Sequence, residues 1–154
     1  MATMTEIDKV MKHAKRIASG KDTAVKPGQP ARFTEACQAG DGIWQGDLCL
    51  VVGNGSVPRG YVRVDNPTDS DRQLVPGNTQ GAKHCLDSLV GVELYRPKDW
   101  SEESLEGPYL RLSQDRTVLH PTHGAVTIPA AMDIACHYQR EWNREQAKER
   151  RARD

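Results

Sequence analysis

Between Gly40 and Tyr138 turn-forming residues recur so often that no long helix fits between them. Gly53-Asn54-Gly55-Ser56, Asn66-Pro67, Pro76-Gly77-Asn78, Arg96-Pro97 and Pro121-Thr122-His123-Gly124 cut the stretch into short runs. Each of these residue types breaks regular structure for its own reason of dihedral angle or local hydrogen bonding. The runs between them alternate or are apolar throughout, the pattern of strands. Asp47–Val52 is the clearest, with apolar residues on both faces, as a covered central strand requires. Tyr61–Asp65, Arg72–Val75, Lys83–Leu89, Val92–Tyr95, Tyr109–Leu112, Thr117–His120 and Ala125–Ile128 follow. Met132–Tyr138 closes the series, with Met132, Ile134, Cys136 and Tyr138 on one face and Asp133, Ala135 and His137 on the other. Trp100–Glu106 reads as a short helical turn capped by Ser101 and ended by Pro108.

The expected fold is therefore mainly β: a small barrel, roll or sandwich of short strands. It carries an N-terminal amphipathic helix and a charged C-terminal helix. The expected organisation is a helix over 1–20, a linker over 21–40, a β-rich body over 41–138 and a charged helical tail over 139–154. In the first segment Ile7, Val10, Met11, Ala14, Ile17 and Ala18 recur at three- and four-residue steps and share one face. Thr5 can cap that helix and Gly20 can stop it. One short helix is marginal in water and needs something to pack against. Its own body is one acceptor and a partner protein is the other. In the tail, Glu141–Arg144, Glu145–Lys148 and Glu149–Arg153 stand at helical pairing distance.

With 21 Lys and Arg against 21 Asp and Glu the chain is neutral, but unevenly so. Residues 1–35 carry seven basic and four acidic residues, a net of +3. Residues 36–138 carry eight against thirteen, a net of −5, and 139–154 carry six against four, a net of +2. An acidic body is a poor phosphate clamp, because non-specific affinity comes from basic groups that release counterions. Nucleic acid is left only to the two arms, and the sparse aromatic residues offer no paired stacking platform. No apolar run approaches the roughly 20 residues of a membrane span. The opening residues lack the apolar stretch of a secretory signal, so a cytoplasmic protein is expected. Cys37, Cys49, Cys85 and Cys136 form no C-x-x-C pair, which reads as four reduced thiols.

His84, His120, His123 and His137 are the candidate metal ligands, with Cys85 or Asp87 as helpers. Imidazoles suit zinc, iron or nickel, and three ligands with one open position make a catalytic zinc site. His120 and His123 flank one turn, so their rings can converge. H-x-x-H in a loop has little of the force of HExxH on a helix. Histidines that cap turns and hydrogen-bond backbone are the plainer reading, with no cofactor and no catalytic residue assigned. Ser56 lacks a G-x-S-x-G elbow, and the Gly53–Gly55 pair is too short for a dinucleotide loop.

The stretch HPTHGAVTIPAAMDIACHYQREW at 120–142, with QGAKHCL at 80–86, resembles a group of small, largely uncharacterised bacterial proteins. Their pattern is an H-x-x-H-G turn, an apolar strand, a Pro-x-Gly turn and a strand ending in Q-R-E plus an aromatic. This chain departs from it at the turn, which is Pro129-Ala130-Ala131. The resemblance implies a β-rich fold and no particular activity. GAVTIPAA is also similar to the second half of a cupin, the metal-binding jelly roll, but without the upstream H-x-H.

Three functions follow as expectations. The first is a non-catalytic structural or protein-interaction module, assembling with itself or with a protein partner through the N-terminal helix. The second is a small metal-dependent enzyme or metal-regulated protein using the histidines. The third is a nucleic-acid accessory protein using its basic arms.

Overall fold

A computed structural model describes residues 23–24, 29–76, 84–143 and 148–151. The expected helix over 1–20 lies outside these. The described chain is mainly β, in two larger sheets and one hairpin. β1 (Thr23–Ala24), β3 (Gly42–Gln45), β4 (Leu48–Val52), β5 (Tyr61–Arg63), β7 (Val92–Pro97), β8 (Glu106–Leu112) and β11 (Asp133–Tyr138) form the first sheet. Its order is β1-β3-β4-β11-β8-β7-β5. β2 (Ala31–Arg32), β6 (Cys85–Leu86), β9 (Arg116–Leu119) and β10 (Val126–Ile128) form the second, ordered β2-β10-β9-β6. β1 runs parallel to β3 and β2 parallel to β10, while the other pairs are antiparallel. Both orders are open, so the described strands make no barrel.

One apolar core joins the two sheets. The first sheet supplies Ile43, Leu48, Leu50, Val52, Leu94, Leu110, Ile134, Cys136 and Tyr138, and the second Leu86, Val118, Val126 and Ile128. Phe33, Leu74 and Val75 fill in from connecting segments. β4 is buried along its whole length, as its two apolar faces require. β11 alternates buried and half-buried residues, with Ile134, Cys136 and Tyr138 inward. The four cysteines form no disulfide, and burial pushes the Cys136 thiol well above its usual range. A buried neutral thiol of this kind fills space and is poorly reactive.

Several segments differ from their expected form. Ala31–Arg32 pairs with β10, and Phe33 is buried, so this part of the expected linker belongs to the fold. Of the expected strand Arg72–Val75, Arg72 ends a 3-10 turn, Asp69–Arg72, and Gln73 makes a single bridge to Cys85. The turn wins because the Thr68 N–H donates to the Asp71 carboxylate at 2.7 Å. That bond is the return half of a capping box. Around Ser101 there is a turn and no helix: its hydroxyl accepts the Glu103 N–H at 3.2 Å. Pro108 lies inside β8, where the register with β11 shifts between Ala135 and His137.

The expected C-terminal helix is overturned in its described residues. Arg140–Asn143 (β12) and Lys148–Arg151 (β13) pair antiparallel as a hairpin. Alternating acids and bases serve a helix turn and a paired register alike, and the pairing sets Glu141 opposite Arg150.

At one end of the first sheet Tyr109 lies across Gly53. The Tyr109 hydroxyl donates to Asp133 Oδ2 at 2.7 Å, and Arg111 Nε donates to the same oxygen at 3.3 Å. Burial first, then the bond to Asp133, pushes the phenol up to about 12, so it stays a donor. A Cβ at Gly53 would stand 2.5 Å from the Tyr109 hydroxyl oxygen. Gly53→Ala must therefore displace the ring or break its bond to Asp133. The expected cost is about 1–3 kcal/mol, the range for overpacking, read as a lowered urea midpoint. An unchanged midpoint would mean that Tyr109 moves aside freely.

Candidate functional site

The polar groups of greatest interest meet inside the fold, where the β3–β4 hairpin faces the second sheet. Gln45 pairs with Leu48, leaving Gly46 and Asp47 as the two-residue turn. Gly46 has a φ of 59°. The first position of a II′ hairpin turn reserves such a positive value for glycine. This tight turn holds Gln45 and Asp47 on either side of His84, which directly precedes β6. All three are buried, and His84 and Gln45 have no exposed surface.

The hydrogen bonds define what each group does. Gln45 Nε2 donates to the Val118 carbonyl at 3.0 Å and to the Gly124 carbonyl at 2.8 Å. Its two amide hydrogens are thereby used, and Oε1 faces His84 Nδ1 at 2.8 Å as an acceptor. His84 Nε2 stands 3.0 Å from Asp47 Oδ1, a second acceptor. His84 is thus held at both ring nitrogens, clamped between an amide and a carboxylate. The Asp47 and His84 carbonyls add two backbone bonds, from Gln139 N–H and Leu74 N–H at 2.9 and 2.8 Å. One buried network so joins the first hairpin, the loop before β6, the loop after β9 and the end of β11.

His120 and His123 extend this centre outward. The His84 and His120 rings lie 4.4 Å apart by centroid, and the His120 and His123 rings 4.6 Å apart. His120 Nδ1 accepts the backbone N–H of Thr122 at 3.1 Å and of His123 at 3.2 Å. That ring therefore shapes the Pro121–Gly124 turn by capping its amides. Three of the four candidate histidines converge, but as a row of rings tilted 44° to one another, in which His84 and His120 Nδ1 are engaged by the protein's own groups. Among the described residues no group of three or more His, Cys, Asp or Glu side chains is placed to hold a metal ion.

His137 stands apart. It alternates with the inward residues of β11 and so points from the opposite face of the first sheet. There it forms a close Nδ1 contact with Glu106. Cys85 pairs in register with Leu119, and Asp87 Oδ1 accepts the Thr117 N–H at 3.1 Å. Sequence reasoning missed Gln45 and Asp47. Their signal is Gln-Gly-Asp between two apolar runs, a two-residue hairpin flanked by polar side chains that the β3–β4 packing buries.

Two depressions of about 460 and 450 Å³ flank β7. Arg63, Asp65, Asn66 and Glu93 contribute to the first, and Gly91, Arg111 and Ser113 to the second. Neither is lined by a histidine or a cysteine. Exposed apolar side chains lie elsewhere: Val62 on β5 at the edge of the first sheet, Leu119 on β9, and Val90 before β7.

The chain belongs to the family described as Domain of unknown function (DUF8820), whose model matches residues 44–131. The matched span takes in Gln45, Asp47, His84, His120 and His123 and stops short of His137. No curated protein matches the chain. No solved structure matches it either.

Proposed function

We propose that this domain is a non-catalytic structural module that assembles with itself or with a protein partner. The observation that carries the reading is the use made of His84: both its nitrogens are committed to Gln45 and Asp47, at zero exposure. A general base or a metal ligand needs a nitrogen free to face substrate or ion. The buried thiols of Cys49 and Cys136 are likewise spent on packing. The assembly half of the reading is supported by the short edge strand β5, which pairs only with β7 among the described strands and exposes Val62.

Light scattering of the full chain over a wide concentration range tests this. The expected result is a dimer or larger species that shifts toward monomer in Val62→Lys, or a monomer that leaves native extract with a stoichiometric protein companion. A chain that is monomeric throughout and leaves the extract alone would contradict the proposal.

A second reading, a metal-dependent protein, draws on the approach of the His120 and His123 ring centroids to 4.6 Å. Elemental analysis of protein purified without an affinity tag separates the two. Zinc, iron and nickel are expected well below one per chain. A stoichiometric metal lost in both His120→Ala and His123→Ala would establish the second reading instead.

A further inference from the structure

The first sheet has a second face, apolar in part and separate from the core. Register and alternation put Trp44, Cys49, His137 and Glu106 in one row across it, Val51, Ala135, Tyr109 and Tyr95 in the next, and Asp133, Arg111 and Glu93 in a third. None of these belongs to the core cluster, yet Cys49 is 3%, Val51 9% and Tyr109 2% exposed. The apolar part of this face has to be covered to be stable in water.

We infer that this outer face seats the chain's own residues 5–20, docked as an amphipathic helix. Two observations commit the face to that occupant. First, β1 pairs beside β3 with Ala24 opposite Trp44, so the chain leading into it arrives at the edge of this face. Only residues 21–22 separate the expected helix stop, Gly20, from β1. Connections of a few residues are usual between a helix and the sheet strand it packs beside. Second, the lengths agree. The segment from Thr5 to Ala18 has fourteen residues. As a helix rising about 1.5 Å per residue it spans about 21 Å. Four strand spacings separate β3 from β7. At about 4.8 Å each they span about 19 Å. Ile7, Val10, Met11, Ala14 and Ile17 then meet Trp44, Cys49, Val51, Ala135 and Tyr109, and the basic side of the helix faces solvent. Short tethering favours this seat over one on a neighbouring molecule, because the local concentration of the helix is high. The inference stands apart from the assembly proposed above, and if it holds, assembly is left to surfaces such as the β5 edge.

The test uses the full chain and its own thiols. Maleimide labelling, located by peptide mass spectrometry, compares Cys49 on the outer face with Cys136 in the core. The expected result is Cys49 protected in the native chain and labelled at least tenfold faster in Val10→Asp/Ile17→Asp, with Cys136 protected in both. Equal Cys49 rates in the two proteins would overturn the inference. Should the variant expose Cys136 as well, photo-crosslinking from benzoylphenylalanine at position 11 of an otherwise native chain decides. Crosslinks within one chain to 42–53 or 133–138 support the seat. Crosslinks to a second copy, to a partner or to other segments, or none, overturn it.

Discussion

His84→Ala is expected to destabilise the fold by about 3–5 kcal/mol, from buried acceptors left unpaired together with the cavity left by the ring. The reason lies in what stays behind. Gln45 Oε1 and Asp47 Oδ1 both point at the ring, at 2.8 and 3.0 Å, and both residues are buried. Without His84 the carboxylate has lost its ring donor in a site with little access to water, and the ring's volume becomes a cavity. Gln45 cannot simply turn over, because its amide already serves the Val118 and Gly124 carbonyls. Asp47→Asn retains an oxygen acceptor for Nε2 and is expected to cost about half as much, since a neutral acceptor makes the weaker bond. Urea denaturation with unchanged slope would measure both. A loss below about 1 kcal/mol in His84→Ala, no more than one ordinary hydrogen bond, would show that the network contributes little to stability.

Ile134→Ala is expected to cost about 2–5 kcal/mol, the range for deleting a buried aliphatic side chain whose surroundings relax only in part. Ile134 has no exposed surface and stands in register between Val52 of β4 and Leu110 of β8. Both neighbours belong to the same core and are fixed in the middle of the sheet, so the space left cannot close without moving a central strand. Leu119 on β9 is solvent-exposed and supplies the control. Leu119→Ala should stay within about 0.5 kcal/mol, the usual range for a surface substitution. A change as small as that at Ile134, below about 0.5 kcal/mol, would mean that the sheets do not pack as described.

These two positions differ in how readily the sequence declares them. Ile134 is legible from alternation alone: the Met132–Tyr138 period puts it inward, and the burial pattern agrees. β4 is equally legible, because only a strand covered on both sides has a use for Leu-Cys-Leu-Val-Val. His84 was legible as a residue worth watching, but its role was not. Its partners lie 37 and 39 positions away on a hairpin turn, and nothing local marks Gln45 and Asp47 as buried. The two-residue strand β2 also escaped, since Ala31–Arg32 follows Pro30 and is too short to show a period. In the tail, charge spacing favoured a helix where the described residues pair as β12 and β13. Helix propensity is a small term that a pairing partner readily overrides.

His137 separates from the other histidines in the same way. Sequence spacing set it on the polar side of the last strand, and it is there, beside Glu106 and behind the sheet that His84 faces. How the remaining three rings meet is not written in any local pattern. It depends on the loop after β9 folding back over β6, which Gln45 secures through the Val118 and Gly124 carbonyls.

We propose that the histidine centre holds the structure and performs no chemistry, and long-range proton–nitrogen NMR of the imidazoles tests this most directly. The His84 ring hydrogen should exchange slowly with solvent, and none of the imidazole signals should respond to equimolar zinc. A His84 ring hydrogen that exchanges as fast as an exposed one, or signals of His84, His120 and His123 that shift together on adding zinc, would contradict the account.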